Sequence, residues 1–219
     1  MVKKNASLAI LGFCLLLPAA PRAQEGSLAA RMASADPAVR KSAALDAGNR
    51  RDAEAVPGLI ALLKDGSQGV AAGAAVALGQ IRDPRAVDPL VEAAQTSTFT
   101  AVRVMAAQSL GNFESEKALA ALAGAAEDQS PAVRGAACRS MGKFGGGKEA
   151  DRLMDKARSD ADPQVRRTAV ETLAEMAETK ELGERRKALK KALKAASKDK
   201  DEKTKISARK ALQRVKRTE

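Results

Sequence analysis

The chain has 219 residues, a net charge of +11, 45% hydrophobic residues and only 2% aromatic ones. It contains no histidine, tryptophan or tyrosine. That removes imidazole acid–base chemistry and imidazole metal ligation, and leaves almost no aromatic surface for stacking bases or sugars. Alanine supplies much of the apolar content, so a core has to come from helices that approach one another closely.

The N-terminus reads as a targeting segment. Lys3 and Lys4 precede an apolar run over residues 8–17, and Pro18, Ala19, Ala20, Pro21, Arg22 and Ala23 follow. This is the layout of a secretory signal peptide over residues 1–23, with cleavage expected after Ala23. The run is shorter than the ~20 apolar residues a spanning helix needs, so a retained membrane anchor is the lesser alternative. Cleavage would leave Cys138 as the single thiol of a periplasmic or secreted protein, and stability would then rest on packing.

Beyond residue 24 a unit recurs with a period near 31. Its marker helix starts at Val39, Val70, Val102, Val133 and Val165, with a divergent copy at Thr204. Four residues after each start stand Ala43, Ala74, Ala106, Ala137, Ala169 and Ala208. An alanine retained at one register in every copy predicts a helix contact too close for a larger side chain. Leu78, Leu110, Met141, Leu173 and Leu212 occupy the next turn on the same face, and Ala47 stands there in the first copy. Asp36, Ser130 and Asp162 each precede a proline, the pattern of a helix cap with proline at the first helical position. Gly48, Gly79, Gly111 and Gly142 lie near the predicted helix ends, where a left-handed residue is expected. A second amphipathic helix follows each marker helix, with stripes such as Val56, Leu59, Ile60 and Leu63. Residues 27–32 read as the second helix of a reduced opening unit. Such units bury their apolar faces only by stacking, so the expectation is an all-α fold, an α-solenoid of about five to six antiparallel helix pairs.

The motif of Asp or Ser, Pro, any residue, then Val-Arg and two alanines, followed by Arg82–Leu90 (RDPRAVDPL), resembles the HEAT-like repeats of phycobilisome lyases. The resemblance covers essentially the whole mature chain, a repeat array over residues 24–179 with a divergent capping repeat over residues 180–219, and implies a HEAT-like superhelix; for function it implies only a scaffold or a lyase-like accessory to an enzyme. The HEAT-like hydroxylases hold iron with histidines this chain lacks. No catalytic constellation transfers, and neither a cofactor nor a metal site is expected.

Candidate sites follow from this frame. Cys138 falls at the register of Ala44, Ala75, Ala107 and Val170, a small apolar slot, so it reads as core. Arg40, Arg103, Arg134, Arg166 and Lys205 follow the helix starts, broken by Ala71. They read as a structural ladder reaching capping aspartates or helix-end carbonyls. Asp88, Glu92, Asp151, Arg152 and Asp155 lie on the polar side of second helices. If second helices line the concave face, these residues are the candidate partner-binding set.

The charge is concentrated at one end. Residues 24–179 carry 19 basic and 21 acidic side chains, whereas residues 180–219 carry 16 basic and 6 acidic. A helix over residues 181–197 is expected there, with Leu182, Leu189 and Leu193 inward and Lys187, Lys190, Lys191 and Lys194 outward as candidate anion-docking residues. As a capping repeat this unit needs a polar outer face, and its sign suits anionic lipid or an envelope polymer. Nucleic acid fits poorly without aromatics. A monomeric, non-enzymatic, exported protein-binding scaffold is the leading expectation; a lyase-like accessory or chaperone to an enzyme and a charge-driven envelope binder are the alternatives.

Overall fold

The structure, a computed structural model, describes residues 26–179 and 185–217. Among these, α1 (Leu28–Met32) opens a stack of helix pairs. The pairs are α2 (Pro37–Arg50) with α3 (Val56–Leu62), α4 (Gln68–Ile81) with α5 (Val87–Thr96), and α6 (Thr100–Leu110) with α7 (Glu116–Ala125). Then come α8 (Pro131–Phe144) with α9 (Gly147–Ser159), and α10 (Pro163–Thr179) with α11 (Arg185–Ala196). The last marker helix, α12 (Glu202–Arg217), closes the array. The proposed signal over residues 1–23 and Leu182 lie outside the described residues.

Local chemistry explains the helix starts. The Asp36 carboxylate accepts from Ala38 N–H at 2.8 Å, and that of Asp162 accepts from Gln164 N–H at 2.7 Å. Ser130 holds the extended N-cap backbone without a side-chain cap bond, so Pro131 and the fold around it set that start. Ser27 caps α1, as the reduced opening unit requires.

Packing follows the predicted register. All of Ala43, Ala74, Ala106, Ala137, Ala169 and Ala208 are fully buried, and so are Leu78, Leu110, Met141 and Leu173 one turn on. The glycines have a different role from the one expected. The left-handed positions after α2, α4 and α8 belong to Arg51, Arg82 and Gly145. Gly48, Gly79 and Gly142 lie inside their helices, and Gly111 has an ordinary φ of −65°. What these glycines permit is contact between successive marker helices. A Cβ at Gly48 would stand 2.7 Å from Ala77 Cα, and one at Gly79 would stand 2.9 Å from Ser109 Cα. Gly111 abuts Ser140 in the same way, and Gly142 abuts Thr172. One seam of glycine against Ala, Ser or Thr therefore runs along the row.

This seam makes the two rows of helices unequal. The marker helices α2, α4, α6, α8, α10 and α12 touch their neighbours throughout. Among the second helices α5 touches α7 and α9 touches α11, whereas α3 stands away from α5 and α7 from α9. The marker helices form a continuous inner row and the second helices a looser outer row.

The Gly79→Ala substitution tests the seam. Its methyl group meets backbone rather than a movable side-chain tip, so a loss of about 2 kcal/mol is expected, read from urea unfolding. The same change at Gly124, which has open space around it, is expected to be neutral or mildly stabilising.

Candidate functional site

The most ordered polar feature is the arginine ladder. Arg40 donates to both oxygens of Asp65, Arg103 to Asp128, Arg134 to Asp160 and Arg166 to Asp199, at distances of 2.6 to 3.1 Å. Each acceptor sits in the turn after the second helix of the same unit. The capping aspartates are not the acceptors. A third guanidinium bond reaches back to carbonyls before the arginine's own helix: Ser34 for Arg40, Ser97 for Arg103, Asp128 for Arg134 and Asp160 for Arg166. The same aspartates accept backbone N–H groups two residues on, from Ser67, Ser130, Asp162 and Asp201. Each arginine thus ties the turn before its unit to the turn after it.

Two positions depart from the series. Lys205 pairs with Glu202 on its own helix and takes no part in the ladder. In the second unit Ala71 is buried where an arginine would stand, and the turn that would supply the aspartate carries Ser97. Ser97 Oγ still accepts from Phe99 N–H, at 3.3 Å, so the turn is kept while the guanidinium bonds are lost. Both halves of one rung are therefore missing together.

The ladder carboxyls are held below the ordinary aspartate value of 3.8. For Asp65 and Asp199 the guanidinium bond is the main cause. For Asp128 and Asp160 burial is the largest effect and pushes upward, but the guanidinium and backbone N–H bonds together outweigh it. Stability from a lowered carboxyl is complete above its unfolded value and is lost as pH falls through its folded value.

The five outer-row candidates do not converge on one site. Asp88 pairs with Lys117 at 2.6 Å, and Glu92 with Lys64 at 2.8 Å. Asp151 meets Arg185 at 3.4 Å, and Asp155 meets Arg158 at 3.6 Å. Asp88, Glu92 and Asp151 thus stitch one second helix to the next across the open side, while Arg152 is exposed. The repeat spacing concealed these pairs because their partners sit about one unit away in sequence. Where α3 stands off from α5, a cavity of about 290 Å³ opens, floored by Ile60, Leu63, Ala93 and Phe99 and rimmed by the Lys64–Glu92 pair.

At the basic end, Lys187, Lys191 and Lys194 are exposed and Lys190 is half-buried. Cys138 is fully buried, and burial pushes its thiol up to about 12 against the opposing charges of Lys156, Arg139 and Arg134. Among the described residues no cluster of Cys, Asp or Glu could hold a metal ion, and no helix is long and apolar enough to cross a membrane.

Two outcomes are expected. Arg103→Met leaves Asp128 largely buried without its partner, so it should lower stability by about 3 kcal/mol at pH 7. The gap from the parent should narrow as pH falls below about 4, because the protonating aspartate no longer needs the guanidinium; urea titrations at both pH values read it. Cys138 should resist iodoacetamide at pH 8 in the folded protein and react once unfolded, read by mass spectrometry.

Comparison with known proteins agrees with this architecture. The family model described as HEAT repeats matches residues 26–103 and 87–174. No curated protein sequence matches the chain. Among solved structures, Escherichia coli YibA is 18% identical with a TM-score of 0.60, the match covering 87% of this chain and 72% of that one. An engineered protein is 22% identical with a TM-score of 0.58, covering 87% and 95%. A designed armadillo repeat protein in complex with the peptide (KR)4 is 19% identical with a TM-score of 0.56, covering 86% and 98%. These likenesses show the fold, and the repeat-model match, which takes in well over half of the residues, shows that the chain belongs to the HEAT-repeat family.

Proposed function

We propose that the protein is exported and acts without catalysis, as a scaffold that binds a partner protein along the inner row of the solenoid. The observation that carries this reading is the surface of α4 and α6. In a chain that is 30% charged, α4 has no charged residue at all, and the one charge of α6, Arg103, is spent in the ladder. Ala72 on α4, with Val104 and Met105 on α6, are half-buried against the core and keep one side toward solvent, and Val76 on α4 is half-buried as well. A partner covering them displaces water from apolar surface without stripping charges. Methionine and small side chains also let the contact adjust in shape.

The flanks of this strip carry Lys41 on α2 and Arg139 on α8, both exposed and without an ion pair among the described residues. The best-fitting partner segment is therefore apolar in its middle and acidic at its ends. The designed armadillo repeat protein of similar fold is in complex with a peptide, in its case the basic (KR)4, which supports a peptide-binding reading of this fold. Export rests on the basic start, apolar run and small residues of positions 1–23.

The test captures partners from an envelope extract with the parent chain, with Met105→Glu and with Asp88→Ala. A partner retained by the parent and by Asp88→Ala but lost about tenfold or more by Met105→Glu is the expected result, since a charge would be buried at the contact. Equal retention by all three, or loss only with Asp88→Ala, would move the site off the inner row. N-terminal sequencing of the envelope-associated protein should begin at or near Gln24; a sequence starting at Met1 would refute export through cleavage.

A further inference from the structure

We infer that the last unit of the stack is a docking face for an anionic lipid bilayer, separate from the inner-row surface and independent of it. Earlier marker helices prepare a seat for the next unit with a small residue five places after each start and a glycine or alanine nine places after. In α12 those registers hold Arg209 and Gln213, both exposed. This end is therefore built against stacking of another repeat, and a second copy of the chain does not fit it.

A cap needs only to be polar, and a mixture of charges would serve. Among the described residues the carboxylates of this unit do not supply one. Asp199 is locked in the ladder, Asp201 accepts both the N–H and the hydroxyl of Thr204, and Glu202 pairs with Lys205. The outward sides of both helices are left cationic. On α11, Lys187, Lys191 and Lys194 lie opposite the buried Leu189, Leu193 and Ala196. On α12, Arg209, Lys210 and Lys216 lie opposite the buried Thr204, Ala208, Ala211 and Val215. None of these six has an ion-pair partner among the described residues. Of the four lysines singled out in sequence, Lys190 is half-buried and engaged, so it belongs to the structural part of α11.

Three features favour a lipid surface over a soluble polyanion. Lys210 lines the groove between α10 and α12 beside Glu171 and Glu175, and the other five cations are spread over the outer sides of two helices, so the set does not converge on one groove. They are mostly lysines, compact charges suited to many dispersed monovalent headgroups, whereas arginine forks suit a fixed phosphate geometry. Among the described residues the exposed large hydrophobic is Ile206, 44% accessible and set among these cations on α12, where it can enter the headgroup boundary. The last unit has no aromatic residue on which nucleobases could stack.

The experiment is vesicle flotation with the full chain. It compares vesicles of about 30% phosphatidylglycerol in phosphatidylcholine with pure phosphatidylcholine, at about 50 and 300 mM NaCl, where screening lengths differ by more than twofold. Binding at least about tenfold tighter to the anionic vesicles, and weakened about tenfold by the higher salt, is expected. Lys187→Glu/Lys191→Glu/Lys194→Glu and Arg209→Glu/Lys210→Glu/Lys216→Glu should each remove most of that binding while circular dichroism and melting stay near the parent. Ile206→Ser should weaken vesicle binding about threefold and leave retention on heparin unchanged, because only a bilayer has an interior to receive it. Equal binding to neutral vesicles, unaltered binding by both triple variants, or Ile206→Ser matching the parent would overturn the proposal. So would elution from heparin at higher salt than release from vesicles, which would assign the face to polyanions. Loss of the inner-row partner through Met105→Glu leaves vesicle binding untouched, so the two readings fail separately.

Discussion

Near-contact of helix backbones along the inner row is the constraint on which the other features depend. A glycine in one marker helix lies against Ala, Ser or Thr in the next, and the alanine five residues earlier is buried without remainder. Close approach gives many weak dispersion contacts per residue, which is how a chain poor in large side chains reaches a packed interior. It also sets the geometry. Side chains this small let the inner row close along its length, while the buried Leu, Val and Met side chains fill the space between the two rows. The open outer row, its cavity beside α5 and its bridging ion pairs are the other half of the same arrangement.

The arginine ladder solves a problem that the seam creates. Packing between small residues is forgiving of sliding, because one alanine fits much like another. A guanidinium that bonds a specific carboxylate after its unit and specific carbonyls before it permits one register only. Buried ion pairs contribute little net stability against an apolar substitute, and specificity of arrangement is their better-attested use. The hydrogen bonds are complete on both sides in every rung present, which is the condition for burying such groups at all.

Much of the architecture was legible in the sequence because it repeats. Six alanines at one register are a direct print of a steric constraint, and proline after a cap residue marks a helix start without any tertiary knowledge. The ladder arginines were legible as structural, but their partners were not: Asp65, Asp128, Asp160 and Asp199 lie 25 to 33 residues away in turns of differing length. Gly48 and Gly79 misled because a glycine near a helix end has two uses, conformational freedom and absence of bulk, and only the neighbouring helix distinguishes them. Which row packs more continuously was not legible either: amphipathic periodicity tells which face of a helix is buried, and it is silent on which row of a stack is the tighter one. The outer-row acids, read as a surface for a partner, are largely occupied by cations of adjoining units.

The absent rung at Ala71 and Ser97 divides an otherwise uniform array. In a structure whose stability is a sum over units and their interfaces, cooperativity travels only as far as the interfaces are strong. Here α4 is held by its packing and by the Ser109 and Asn112 bonds to the Ala75 and Gly79 carbonyls, its two flanking turns are not tied together, and α3 and α5 stand apart on the outside. The second unit is therefore joined to its neighbours through helix packing without a guanidinium brace. A load along the stack meets there a joint whose register is set by shape alone, whereas the braced units are held to one register by directional bonds as well.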